Sequence, residues 1–469
     1  MIALALSAAM TLAIVYTITM FFVGTRTTAA RLAQRRPIAE ADDPSPVRLM
    51  VVVPCLNEEL VIGRTVERLL AIDDTPGFEP IQILVIDDGS DDRTAEIASS
   101  YDPTRVTVFR RQAPNAREGK GVALNAAFRW LRDVTRDAGD HPDTIVLGVL
   151  DADGRLDPAA LGVVGPMFAD PRLGAVQLKV LIHNAPDGLL PRLQDVEFAT
   201  FTEVFQRARA QLGSSGLGGN GQFTRLSALM DLGDDPWSDC LTEDLELGIN
   251  LLMHGWTNAF VPDTAVSQQG VTELRRLIRQ RSRWFQGHLQ CLGLMPRVIR
   301  SCLPIGVRLD LCYHLVSSLI MLFFQTLALV WLAGLVVASV RAPAAVGSTL
   351  SSPTRLAILY LLAFGISPLV ALAYRRARPE EGLLRCLLIA HAYVIYTYMW
   401  WGAGLSALAR HLRGERGWAK TARTVGTGDE SATNQPSGSP SPLLPSPVLD
   451  PPAPTFLPPT DQPLHQGVG

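Results

Sequence analysis

The chain has 469 residues, 48% of them hydrophobic, and a positive mean hydropathy, which is too apolar for an ordinary soluble enzyme. It is long enough for a full catalytic domain plus membrane helices. A net charge of −3 gives no global attraction to nucleic acid, which is therefore not expected as a partner.

Ile2 to Val23 is a nearly uninterrupted apolar run with no basic stretch before it, followed by Arg26, Arg31, Arg35 and Arg36. Basic residues after the run predict an uncleaved anchor (residues 1–24) with its N-terminus outside and the next domain in the cytoplasm. From about Pro46 to Val266 the pattern becomes soluble α/β. LMVVVPC, IQILVID, RVTVFRR and TIVLGVLD read as strands, most of them continuous enough to be buried on both faces. VIGRTVERLLA, DRTAEIASS and GVALNAAFRWLRDV read as the helices between them, a doubly wound nucleotide-binding pattern.

Leu189–Leu212 and Leu274–Leu294 are amphipathic and carry Arg192, Arg207, Arg209, Arg275, Arg276, Arg279, Arg281 and Arg283. Such helices can lie on a bilayer with cations toward headgroups, or present solvated faces of the soluble domain. The boundaries expected are a domain at 46–285, an interfacial helix at 286–308 and a membrane region at 309–409. That region holds apolar segments at about 309–340, 356–374 and 383–408. If all three span, the tail is outside, yet it opens with Arg410, Arg413, Arg416, Lys420 and Arg423, a cytoplasmic signature, so one segment is expected to be re-entrant or interfacial. The Pro/Ser-rich stretch 424–469 is expected to be disordered. Six scattered cysteines, without CxxC or zinc-type spacing, read as small buried hydrophobes rather than a disulfide framework or structural metal site.

Four motifs carry chemistry. Ligands of open α/β sheets bind at the carboxyl ends of the strands, and VPCLNEE, VIDDGS and VLDAD all fall there. Asp87 and Asp88 can accept hydrogen bonds from a nucleobase or ribose, or cap the turn that follows. Lys120 offers a cation to base or phosphate. Asp151 and Asp153, two apart on an extended segment, would face one ligand, and two hard carboxylates beside a diphosphate suit Mg²⁺ or Mn²⁺. A lone DxD is also an ordinary acidic turn. In TED, Glu243 and Asp244 fall in the first turn of a helix, where the macrodipole alone favours acids, and where Asp244 could act as a general base. In QRSRW, Gln280 shares a helix face with Arg283 and Trp284; the arginine could bind a pyrophosphate and the indole could stack on a sugar. The glycine-rich Ser214–Phe223 reads as a close-approach loop that could cradle an acceptor.

In order and spacing these motifs resemble the processive, membrane-integrated family 2 glycosyltransferases, the cellulose, chitin, hyaluronan and poly-N-acetylglucosamine synthases. The resemblance covers roughly Val51 to Trp284 plus the flanking helices and implies a GT-A fold. It places Asp87, Asp88 and Lys120 near the uridine, and Asp151 and Asp153 on nucleotide-sugar and metal, Asp153 more directly. It makes Asp244 the catalytic base and Gln280, Arg283 and Trp284 the diphosphate and acceptor site. The late GWAKTAR looks like a cytosolic motif of some members. The chain departs from the family in its small set of membrane helices and in VQLKVLIHN, which lacks the QTPH-like form of cellulose synthases.

The resemblance implies a multi-pass plasma-membrane enzyme with a cytoplasmic catalytic domain. It would move a sugar from a UDP-sugar to a growing β-linked polysaccharide of the cell envelope, with inversion and a divalent metal. Its partners would be the donor, a polysaccharide or lipid-linked acceptor, membrane lipids and export or accessory envelope proteins. Two other readings stand beside it: transfer of one sugar to a lipid or short oligosaccharide, and an inert membrane scaffold that keeps a nucleotide-sugar-binding fold.

Overall fold

The computed structural model describes residues 2–25, 47–72 and 80–415. The basic cluster Arg26 to Arg36, the GWAKTAR stretch and the 424–469 tail lie outside the described residues.

One eight-stranded sheet organises the catalytic part, in the order β3-β2-β1-β4-β7-β6-β8-β5. The strands β1 (Arg48–Cys55), β2 (Gln82–Asp87), β3 (Val106–Arg110) and β4 (Ile145–Val149) are mutually parallel. Their Val/Ile runs are covered on both faces, as the absence of alternation requires. Helix Ile62–Ile72 and residues Ala160 to Val164 bury one face, and helices Lys120–Ala138 and Glu243–Met253 bury the other.

The second half of the sheet is mixed, which the doubly wound expectation missed. Ahead of β7 (Gln222–Arg225), the glycine-rich loop arrives at the C-terminal end of β4, where Gly221 N–H donates to the Val149 carbonyl at 2.9 Å. The strand that follows can only run back, antiparallel to β4 and to β6 (Leu173–Ile182). β8 (Thr257–Gln268) runs parallel to β6, and the short β5 (Arg155–Leu156) closes the edge antiparallel to it.

Leu189–Thr200 continues through a π-helical turn, Phe201–Gln206, into Arg207–Leu212, and the apolar helix Ile2–Thr25 packs along its second half. Several of its cations do not face headgroups. Arg209 is buried and pairs with Asp310 at 3.2 Å, and Arg207 pairs with Glu203 at 2.5 Å. Among the cations of Leu274–Cys291, Arg275 and Arg279 are exposed, but Arg281 is buried on Glu197 at 2.7 Å. A guanidinium out of water is tolerated only with a carboxylate beside it; Leu189–Thr200 packs between the sheet and the apolar segments, and Leu274–Cys291 packs along Met399–Leu412.

Ile305–Arg341 is a single 37-residue helix, about 55 Å long against a hydrocarbon core of about 30 Å. Its first turns are spent on the catalytic domain, with Val307, Leu311 and Leu315 in one cluster with Leu245 and Ile249. Pro353–Phe364 and Ser367–Ala377 form a pair bent by 40°. Leu383–Thr397 and Met399–Leu412 together form an apolar run of 30 residues. Among the described residues, two helices are thus long and apolar enough to cross a membrane, or three if the bent pair counts as one span.

Candidate active site

The site forms where the ends of β1, β2 and β4 meet the TED turn and the basic helix. On the β2 side, Asp87 is fully buried, accepts the Ser90 N–H at 2.9 Å and pairs with Arg110 at 3.1 Å. Asp88 pairs with the buried Arg111, and burial holds its carboxyl above the usual range even though that guanidinium pulls the other way. The Leu56–Glu59 turn is laced to this one: Asn57 N–H donates to Ser90 Oγ, and Asn57 Oδ1 accepts from Asp91 N–H, each at 2.9 Å. Both aspartates therefore sit in a rigid acidic turn.

At the end of β4 the chain does not stay extended. Gly154 N–H closes on the Asp151 carbonyl at 2.7 Å, so Leu150–Gly154 is a turn rather than the expected extended segment. Asp151 Oδ1 accepts from Lys120 Nζ at 2.7 Å. Asp153 is nearly buried, with Oδ2 accepting the Gln269 N–H at 2.9 Å. Two carboxylates leaving one turn are hard oxygen donors, the chemistry that suits Mg²⁺ or Mn²⁺.

The glycine-rich loop joins this turn to TED. Asn220 Oδ1 accepts the Asp151 N–H at 3.1 Å, and Gln177 binds the loop backbone at Gly218 and Asn220, each at 2.8 Å. Gly219 has φ +72°, and a Cβ there would lie 2.8 Å from Asp244 Oδ2 and 3.4 Å from Lys120 Nζ. Lys120 and Asp244 thus converge on one glycine, with Asp151 paired to the lysine. Burial opposes the Lys120 charge, but Asp151, Glu243 and Asp244 outweigh it and hold its pKa above the ordinary lysine value. Burial raises the pKa of Asp244, and Lys120 partly offsets it. Glu243, beside it, is pushed up to about 7 by burial and by Asp244.

The basic helix closes the cleft. Gly287 lies against TED so tightly that a Cβ would meet Thr242 Oγ1 at 2.6 Å. One to two turns earlier are Gln280, which accepts from Arg281 at 2.6 Å, and the half-buried Arg283 and Trp284. Motif reading passed over Arg281, whose guanidinium lies 4.0 Å from the Trp284 ring centroid. It bonds to Glu197, which also accepts from Tyr396 Oη at 2.7 Å and Trp400 Nε1 at 2.8 Å. Gln177 and Glu197 were likewise missed, whereas Gly219 and Asn220 lie in the glycine-rich stretch expected to be a close-approach loop.

The model of the "Glycosyltransferase like family 2" matches residues 46–287, more than half of the chain and every motif residue from Asp87 to Trp284. The chain belongs to glycosyltransferase family 2. The beta-monoglucosyldiacylglycerol synthase of Synechocystis is 34% identical over 247 residues, covering 52% of this chain and 48% of its own length. The poly-beta-1,6-N-acetyl-D-glucosamine synthase of Staphylococcus aureus is 27% identical over 256 residues, covering 54% and 57%. The chain thus spans about half the length of the curated relatives it matches. The mannosyltransferase PcManGT of Pyrobaculum calidifontis, solved with GDP-Man and Mn²⁺, has a TM-score of 0.55 at 18% identity, covering 88% of this chain and 99% of its own. That likeness shows a shared GT-A fold.

Proposed function

We propose that this family 2 glycosyltransferase moves one sugar from a UDP-sugar to the hydroxyl of a lipid held in the membrane, with inversion to a β-linkage. The observation that carries this reading is the packing of the helix bearing Gln280, Arg283 and Trp284. It lies along the apolar helix Met399–Leu412, with Phe285, Leu289, Leu322 and Ala407 in one cluster, so the helix that would hold the acceptor packs against the apolar segments. The name of the Synechocystis relative, a glucolipid synthase, supports the same acceptor class.

In this reading Asp87 and Asp88 face the uridine, and Lys120 and Arg283 bind diphosphate oxygens. Asp244 takes the proton from the acceptor hydroxyl as that oxygen attacks the anomeric carbon from the face opposite the diphosphate. Gln280 and Trp284 hold the acceptor. A divalent cation held by Asp151 and Asp153 would neutralise charge developing on the leaving diphosphate. The rest of the stabilisation is preorganised: Lys120 is already ion-paired and fixed before donor arrives.

The packing also suggests an arrangement in the plasma membrane. Arg378 bonds to Asp195 at 3.0 Å just before the Leu383–Leu412 run, and Gln286 bonds to the Glu415 carbonyl at 2.6 Å just after it. A run tied to the catalytic domain at both ends is the interfacial segment. Ile305–Arg341 then leads out, the bent pair leads back, and the basic tail stays in the cytoplasm.

The likeness to the poly-N-acetylglucosamine synthase, with TED and QRSRW in place, favours a second reading in which the product is a polymer. Full-length protein in nanodiscs, given labelled UDP-glucose, UDP-galactose or UDP-N-acetylglucosamine, separates the two. Label extracted into organic solvent as a monoglycosylated lipid supports the first. Water-soluble label of high mass on a sizing gel supports the second, and no transfer from any donor defeats both.

A further inference from the structure

The fold brings together two cysteines that are 51 positions apart in sequence. Cys240 precedes TED by two residues, and Cys291 ends the basic helix. Both are buried, with Sγ atoms 3.6 Å apart. Thr242 Oγ1 stands 3.6 Å from one sulfur and 3.5 Å from the other. The half-buried carboxylate of Glu246, one turn into the TED helix, completes a set with the two sulfurs whose ligand atoms all lie within 4.8 Å of one another.

The neighbouring cluster, with Leu245, Ile249, Leu294 and Val298, explains why two thiols are buried here. It does not explain a carboxylate directed at them, fixed by Ser238 Oγ at 2.5 Å. Two Zn–S bonds of about 2.3 Å meeting at a tetrahedral centre hold their sulfurs about 3.8 Å apart. The observed spacing is close to that. The set is also soft, in contrast to the all-oxygen DxD turn, so the two sites would sort different metals.

We propose that Cys240, Cys291 and Glu246 form a structural site for a thiophilic divalent cation of the zinc class, pinning the TED turn to the QRSRW helix. Binding joins two thiolates and one carboxylate to the ion, and the two thiol protons leave to solvent. No oxidant is needed. Water or the Thr242 hydroxyl takes the fourth position. Because Thr242 adjoins Glu243 and Asp244, and Cys291 lies on the helix of Arg283 and Trp284, the ion would fix the spacing between the base and the diphosphate-binding helix without touching either.

The test uses full-length protein in detergent, stripped with chelator under reductant and titrated with Co²⁺. The expected result is one equivalent bound with a sulfur-to-cobalt charge-transfer band, displaced by Zn²⁺, and a Tm that rises with either ion. Cys240→Ser and Cys291→Ser should each abolish or weaken the band, whereas Asp153→Asn should keep it. A wild-type protein whose thiols titrate as fully reduced, yet shows no band, overturns the site. So does a band that survives both serine substitutions. If the variants fail to fold, the wild-type titration alone decides, and neither readout depends on donor or acceptor.

Discussion

Gly219 is the residue on which the charged groups of the cleft converge, and it has no room for a side chain. Gly219→Ala would force a left-handed residue to carry a Cβ, costing about 1–2 kcal/mol, and would press that Cβ onto Asp244. Turnover should fall at least about tenfold while the protein still folds; unchanged kcat would mean that Asp244 does not work from this position. Asp244→Asn should lower kcat by about 10²–10⁴-fold and leave donor KM nearly unchanged. The raised carboxyls make a pH prediction. A base that must be ionised, with its pKa held up by burial, loses activity on the acid side at a pH above the ordinary aspartate range. Lys120 favours the ionised form, so Lys120→Gln should move the acid limb of kcat/KM to still higher pH. A limb that stays put would show that the lysine does not tune the base. The motif residues were legible because each is a short local pattern. The geometry of Asp151 and Asp153 was not, because the turn depends on the single hydrogen bond from Gly154 N–H, which periodicity does not encode.

At the scale of elements, the helices Leu189–Thr200, Leu274–Cys291 and the Leu383–Leu412 run meet at Glu197, which accepts from Arg281, Tyr396 and Trp400. Removing one partner of a buried pair leaves the other charge stranded, at about 3–5 kcal/mol. Arg281→Met should therefore lower Tm sharply, and Arg281→Met with Glu197→Met should cost less than the two single losses added together. Additive losses would mean that the pair is not coupled. Sequence reading placed Arg281 on a basic helix facing headgroups or solvent because its partner lies 84 residues away, a distance at which helical periodicity says nothing. The same limit hid the approach of Cys240 to Cys291, which depends on Gly287 letting the basic helix close on Thr242.

At the scale of the molecule, the four parallel strands and the apolar segments were legible, since burial on both faces and long apolar runs are properties of the local sequence. The mixed half of the sheet was not, because its direction is set by where the glycine-rich loop returns to β4. Topology is testable at this scale. A cysteine placed at Arg413 should resist a membrane-impermeant maleimide in intact cells and react once the membrane is opened, as a cytoplasmic tail requires. Labelling in intact cells would instead make Leu383–Leu412 a span. A mechanical consequence follows from Glu197. In the proposed arrangement the Glu197 carboxylate, together with the cluster of Phe285, Leu289 and Ala407, couples the helix of Gln280 and Trp284 to the apolar run Leu383–Leu412, so lateral pressure and lipid thickness would act on both residues. The enzyme should therefore respond to its bilayer: acyl chains too short or too long for that run should slow turnover in vesicles even with donor in excess, and Glu197→Gln should blunt that response.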